Sequence, residues 1–94
     1  MSDRIEKVSN LIKELSATFL NRENNHTSLV SVTHATVSAD LKRGTVYITV
    51  LPVEKEHGAL EFAKRKRPEL REYLKKNMAT KTIPFVDIKI DEGE

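Results

Sequence analysis

Residues 29–51 read LVSVTHATVSADLKRGTVYITVL, two runs rich in β-branched residues separated by a polar segment that ends in glycine. β-Branched residues favour strands, so the pattern predicts a hairpin. Its strands are expected at Leu29–Ser38 and Thr45–Leu51, and its loop at Asp40–Gly44. The apolar alternation of the first strand changes phase near Thr33-His34, which predicts a β-bulge at that point.

Helical patterns flank this hairpin on both sides. Before it, apolar residues at steps of three and four predict a helix from Asp3 to about Leu20, followed by a polar loop at Asn21–Ser28. After it, a second helix is expected from about Glu54 to Lys66. Pro68 should break that helix and allow a further helical piece to start there. Alternating apolar residues then predict a last strand at Pro84–Asp91.

The predicted order is therefore helix, strand, strand, broken helix, strand. The economical arrangement is an α+β fold, in which a three-stranded sheet is covered on one face by two helices and the second helix is kinked. The length of 94 residues suits one domain spanning residues 1–94.

Composition narrows the classes of function. The chain has no cysteine, which excludes disulfides and thiolate chemistry, and only 5% of its residues are aromatic. No secretory signal and no apolar run long enough to span a bilayer are visible, so a cytoplasmic location without membrane contact is expected.

Positive charge is concentrated in one segment. Residues 64–81 contain eight Lys/Arg and two Glu, a net charge of +6, whereas the whole chain carries +2, so the rest carries −4. Such a cluster predicts contact with phosphates, and its position before Pro68 places it at the helix kink. With few aromatic residues, RNA shape and backbone charge are expected to give more affinity than base stacking. The predicted RNA-binding residues are Lys7, Lys13, Lys42, Arg43, Lys64, Arg65, Lys66, Arg67, Arg71, Lys75, Lys76 and Lys81.

Other interpretations of the cluster remain open at this point. It is also compatible with a solvated helix face, with a nuclear-localisation signal, or with an adaptor that binds an acidic protein partner. Signals for an enzyme are weak, because His26, His34 and His57 lack metal-ligand spacing and there is no glycine-rich phosphate loop or nucleophile-elbow sequence. No catalytic residue, metal, cofactor or small-molecule substrate is therefore expected.

Three stretches follow one known pattern in order. Residues 29–41, LVSVTHATVSADL, and 42–51, KRGTVYITVL, are similar to two strands joined by a Ser-x-Asp-Leu turn. Ile83-Pro84 through Asp91 is similar to the Pro-led last strand of the same pattern. They resemble the ribosome-binding factor A family, and the resemblance spans nearly the whole chain because that family's first and late helices are also matched, at Arg4-Ile5, Ile12-Lys13, Leu70-Arg71 and Leu74. Where that family usually has Ala-x-Gly, this chain has Lys66-Arg67-Pro68.

The resemblance implies a KH-like (type II) αββαβ fold without the usual GXXG loop. It also implies a non-enzymatic assembly factor, expected to be a monomer, whose partners are the free small (30S) ribosomal subunit and its ribosomal RNA. Such factors assist late maturation of that RNA, including processing at its 5′ end.

Overall fold

The chain folds in the predicted order, with the second helix broken in two. The computed structural model describes residues 2–23 and 28–93. Its elements are α1 (Ser2–Glu23), β1 (Leu29–Val37), β2 (Arg43–Leu51), a short 3₁₀ helix (Val53–Lys55), α2 (Glu56–Arg65), α3 (Arg67–Asn77) and β3 (Phe85–Ile90). The predicted α+β class and the kinked second helix are confirmed.

The three strands form one mixed sheet in the order β1-β2-β3. β1 and β2 are antiparallel, and their pairing shifts register between Val32 and His34, which confirms the bulge at Thr33. β2 and β3 are parallel. A parallel pair needs a crossover connection, and α2 and α3 supply it.

The core lies between the sheet and the helices. Val46, Ile48 and Val50 alternate along β2 and are almost completely buried, and Ile88 of β3 joins them. The helices cover this same face of the sheet with a set of buried apolar side chains. These are Val8, Ile12, Phe19, Leu20, Ala63, Leu70 and Leu74, with Met78 just after α3.

The hairpin turn is held by side chains. Ser38 Oγ donates a hydrogen bond to Asp40 Oδ1 at 2.6 Å, and the backbone N–H of Lys42 donates to the same oxygen at 3.0 Å. These two bonds favour the ionised carboxylate and lower the pKa of Asp40 below its ordinary value. Leu41 takes the left-handed conformation (φ 62°) that closes the turn.

The loop spans residues 38–42 and not Asp40–Gly44, because β1 already ends at Val37 and Arg43 and Gly44 belong to β2. The N–H of Phe85 donates to the carbonyl oxygen of Lys42 at 2.9 Å, so pairing with β3 begins at this point. Glycine at position 44 permits a close approach, since a Cβ there would lie 3.0 Å from the carbonyl oxygen of Thr36.

α1 is longer than predicted. It ends at Glu23 and not near Leu20, so the loop expected at Asn21–Ser28 is wrong for its first three residues, while residues 24–27 lie outside the described part of the chain. Contacts with α3 and with the residue before it explain the extra turn: the Arg22 guanidinium lies 5.5 Å from the centroid of the Tyr73 ring, and Glu23 pairs with Lys66. Across residues 2–23 and 28–93, no helix combines the length and the apolarity of a membrane-spanning segment.

The break between α2 and α3 falls two residues before the proline. Lys66 leaves the helical conformation (φ −90°, ψ 4°), and α3 starts at Arg67, with Pro68 in its first turn. In an unbroken helix the carbonyl of Lys64 would accept from the N–H of residue 68, which proline lacks. Arg67 Nε donates to that carbonyl oxygen instead, at 3.0 Å.

Candidate nucleic-acid interface

The break between α2 and α3 presents the densest cations of the chain. Arg65 is exposed and Lys64 is half-buried, and neither has an acidic partner within residues 2–23 and 28–93. The helical period explains why Lys64 and Arg65 are not buried, because Ala63 takes the buried position in this turn of α2. Their ammonium and guanidinium groups are therefore available to an anion from solution.

Three other predicted cations are paired with carboxylates. Arg67 Nη1 donates to Asp87 Oδ1 at 2.8 Å. Lys66 Nζ lies 3.4 Å from Glu23 Oε1, and Lys75 Nζ lies 3.6 Å from Glu72 Oε2. These pairs are at least partly solvated, so each stabilises the fold only weakly, but each holds its cation away from an incoming phosphate.

A cleft of about 540 Å³ lies between this break and the start of β3. Four cations and one carboxylate are among the groups that line it, so an anionic ligand would meet a positive surface. The lining residues are Lys64, Arg65, Arg67, Pro68, Arg71, Glu72, Phe85 and Val86.

The hairpin brings two more predicted cations beside this cleft. Arg43 is directly opposite Phe85 in the β2–β3 pairing, and the carbonyl of Lys42 accepts from the Phe85 N–H. Both side chains are exposed, and neither forms an ion pair in the described residues, although the Asp40 carboxylate lies near Lys42. The structure thus brings together Lys42, Arg43, Lys64 and Arg65.

The remaining predicted cations lie farther along the helices. Lys76 and Lys81 are exposed at and beyond the end of α3. On α1, Lys7 is exposed and Lys13 half-buried. At a rise of 1.5 Å per residue they lie about 24 and 15 Å along the helix axis from Glu23, which marks the break through its pair with Lys66.

The chain is similar to known proteins over almost all of its length. The model of the family described as ribosome-binding factor A matches residues 4–94. The chain belongs to the ribosome-binding factor A family. A ribosome-binding factor A from Macrococcus caseolyticus (strain JCSC5402) is 30% identical over 96 residues, which cover 99% of this chain and 84% of the relative.

Solved structures described as ribosome-binding factor A share the fold. The crystal structure of the Thermus thermophilus protein has a TM-score of 0.82 at 18% identity and covers 92% of this chain and 94% of its own. A Thermus thermophilus homology model fitted into a cryo-EM map of a 30S–RbfA complex has a TM-score of 0.75 at 20% identity, covering 86% of this chain and 88% of its own. The KH-like α+β fold is confirmed. The family is one of ribosome-binding factors and is not a known class of enzymes.

One residue of the cleft was missed by the sequence reasoning. Phe85 is 67% exposed at the start of β3, and the guanidinium carbon of Arg71 lies 4.2 Å from the centroid of its ring. The alternation of side chains along the last strand could have indicated its exposure, because Val86 and Ile88 face the core and Phe85 must then face away from it. Its contact with Arg71 could not be found in this way, since it depends on how α3 packs in this member of the ribosome-binding factor A family.

Proposed function

We propose that the chain binds the free small (30S) ribosomal subunit as a monomer and assists late maturation of its ribosomal RNA, including processing at the 5′ end. Two findings support this. The family consists of ribosome-binding factors, and a Thermus thermophilus protein with the same fold has been fitted into a map of a 30S complex. Binding alone, without a cofactor or a small-molecule substrate, accounts for such a role.

The observation that carries the proposal is the group of four unpaired cations beside the cleft. Lys42, Arg43, Lys64 and Arg65 come from two separate parts of the chain, and none of them forms an ion pair in the described residues, although the Asp40 carboxylate lies near Lys42. Bringing like charges together opposes folding. RNA phosphates would relieve this repulsion and release their own counterions.

A salt titration of binding to immature small subunits tests the proposal. If about five phosphates are contacted, the slope of log K against log salt should be roughly −3.5 to −4.5. Replacing Lys64 and Arg65 with Gln should flatten that slope by about 1.4 to 1.8, because two contacts are lost. Lys89→Gln is the matched control, since Lys89 is exposed four residues farther along β3 than Phe85, about 13 Å from it, and should not change the slope.

Sedimentation of tagged protein through a sucrose gradient gives the second measurement. We expect the protein to migrate with free small subunits and not with translating ribosomes. A binding constant that does not change with salt concentration, or equal affinity for mature and immature subunits, would contradict the proposal.

The same free cations would also suit an adaptor that binds an acidic protein. Nuclease treatment of a pulldown separates the two functions. A partner that is lost when RNA is digested supports RNA binding, whereas a partner that remains supports the adaptor.

A further inference from the structure

Phe85 is an exposed aromatic side chain in a chain that has few of them. It begins β3, directly beside the buried Pro84, yet two thirds of its surface is open to solvent. The core does not need this ring, because Val86, Ile88 and Ile90 supply the apolar face of the strand. The ring lies at the edge of a charged cleft, so a ligand that enters the cleft would meet it.

Arg71 fixes the ring from one side. Its guanidinium carbon lies 4.2 Å from the Phe85 centroid, which is a close cation–π contact. One terminal nitrogen donates to the carbonyl oxygen of Ile83 at 3.2 Å, and its Nε is buried. The guanidinium is thus held between α3 and the segment before β3. A ring held in this way loses little conformational freedom when it binds a ligand.

Cations lie around the exposed side of the ring. Lys64 and Arg65 share the cleft with Phe85, and Lys42 and Arg43 lie on the neighbouring strand and its turn. The carboxylate in the cleft, Glu72, is paired with Lys75. An aromatic face between cations is the combination with which proteins bind unpaired nucleotides: the base stacks on the ring and the phosphates meet the cations.

We infer that Phe85, supported by Arg71, stacks one unpaired nucleobase of the bound RNA, while the cations at the break and the hairpin contact its flanking phosphates. This rests on the proposed function, and it adds to it a preference for single-stranded over duplex RNA. It also adds the stacking of one base to the contributions of RNA shape and backbone charge that composition led us to expect.

Binding of a single strand of about six nucleotides, which lies within the usual site sizes, tests the inference. One base of the strand is replaced by the fluorescent analogue 2-aminopurine. Binding to this strand is compared with binding to a blunt duplex of the same length. The wild-type protein should quench the analogue and favour the single strand. Phe85→Leu should weaken single-strand binding by roughly 5- to 150-fold, leave duplex binding unchanged and keep the salt slope, because no cation is lost. Phe85→Tyr should restore quenching.

Two controls make the result specific. Tyr47→Leu removes an aromatic ring from the open face of the sheet and should not change binding or quenching. A free mononucleotide such as AMP should bind far more weakly than the strand, because it offers one phosphate. If AMP binds as tightly as the strand, the ligand is a free nucleotide and not RNA.

The outcomes separate this inference from the proposed function. If wild-type protein binds small subunits with the expected salt slope but Phe85→Leu binds the single strand as well as wild type does, only the stacking inference is overturned. Equal affinity of the wild-type protein for the single strand and the duplex would also overturn only the stacking inference. If the wild-type protein binds neither RNA nor subunits, the proposed function itself fails.

Discussion

At the scale of single residues, Ser16 stands out in the core. It is fully buried in α1, and its Oγ has no hydrogen-bond partner within the part of the chain that the structure describes. A buried polar group without a partner loses its water and gains nothing in return. We therefore expect Ser16→Ala to raise the free energy of unfolding by about 1 to 3 kcal/mol, measured by urea denaturation.

A second serine on the same helix provides the control for this prediction. Alanine also favours helix more than serine does, by up to about 0.7 kcal/mol. Ser9 is only half-buried, so Ser9→Ala reports that contribution alone. A Ser16→Ala protein that is no more stable than Ser9→Ala would show that the Ser16 hydroxyl is satisfied in solution.

At the scale of elements, the sequence predicts best where one periodicity dominates. The alternation in β2 puts Val46, Ile48 and Val50 on one side of the strand, which is the buried side, and the change of phase in β1 indicated the bulge near Thr33-His34. Both signals are local, because successive side chains of a strand point to opposite faces of the sheet.

Element ends that depend on distant residues were predicted less well. The polar run after Leu20 resembles a loop, yet α1 continues because Glu23 meets Lys66, 43 residues later in the chain. The proline correctly indicated a helix break. Its position shifted to Lys66 because the Arg67 side chain satisfies the carbonyl that Pro68 leaves free. Neither contact has a signature in the neighbouring sequence.

We expect Arg67 to stabilise the break between α2 and α3 and not to be a main contact of the RNA phosphates. Its guanidinium holds both Asp87 and the Lys64 carbonyl. The pair with Asp87 is nearly half exposed and contributes only about 0.2 to 1 kcal/mol, and the bond to the carbonyl adds about 0.5 to 1.5. Arg67→Ala should therefore lower the free energy of unfolding by about 1 to 2 kcal/mol in thermal or urea denaturation.

Arg65 is the matched control, because it is a neighbouring arginine whose side chain has no hydrogen bond or ion pair in the described residues. Arg65→Ala should change stability by less than about 0.5 kcal/mol. An equal loss of stability in the two variants would contradict the role given to Arg67.

At the scale of the whole molecule, the fold selects among cations that the sequence cannot rank. Twelve predicted RNA-binding residues are equivalent by charge alone, but the structure pairs Lys66, Arg67 and Lys75 with carboxylates. It then places the hairpin beside the helix break, although the two are about 20 residues apart in sequence. The parallel pairing of β2 with β3 causes this juxtaposition, because it sets Arg43 opposite Phe85 at one end of the sheet.

This arrangement predicts that the length of the RNA decides which cations contribute. Phe19 packs on Tyr73 and Glu23 pairs with Lys66, so α1 and α3 run in opposite directions, and Lys7 and Lys13 lie away from the break along α1.

A strand of about six nucleotides in the cleft should reach the hairpin but not Lys7 and Lys13. The double variant K42Q/R43Q should then flatten its salt slope by about 1.4 to 1.8, and K7Q/K13Q should leave it unchanged. On intact small subunits, whose RNA extends far beyond the cleft, both variants should flatten the slope. If K7Q/K13Q changes neither slope, Lys7 and Lys13 do not belong to the interface, and the RNA is held by the helix break and the hairpin alone.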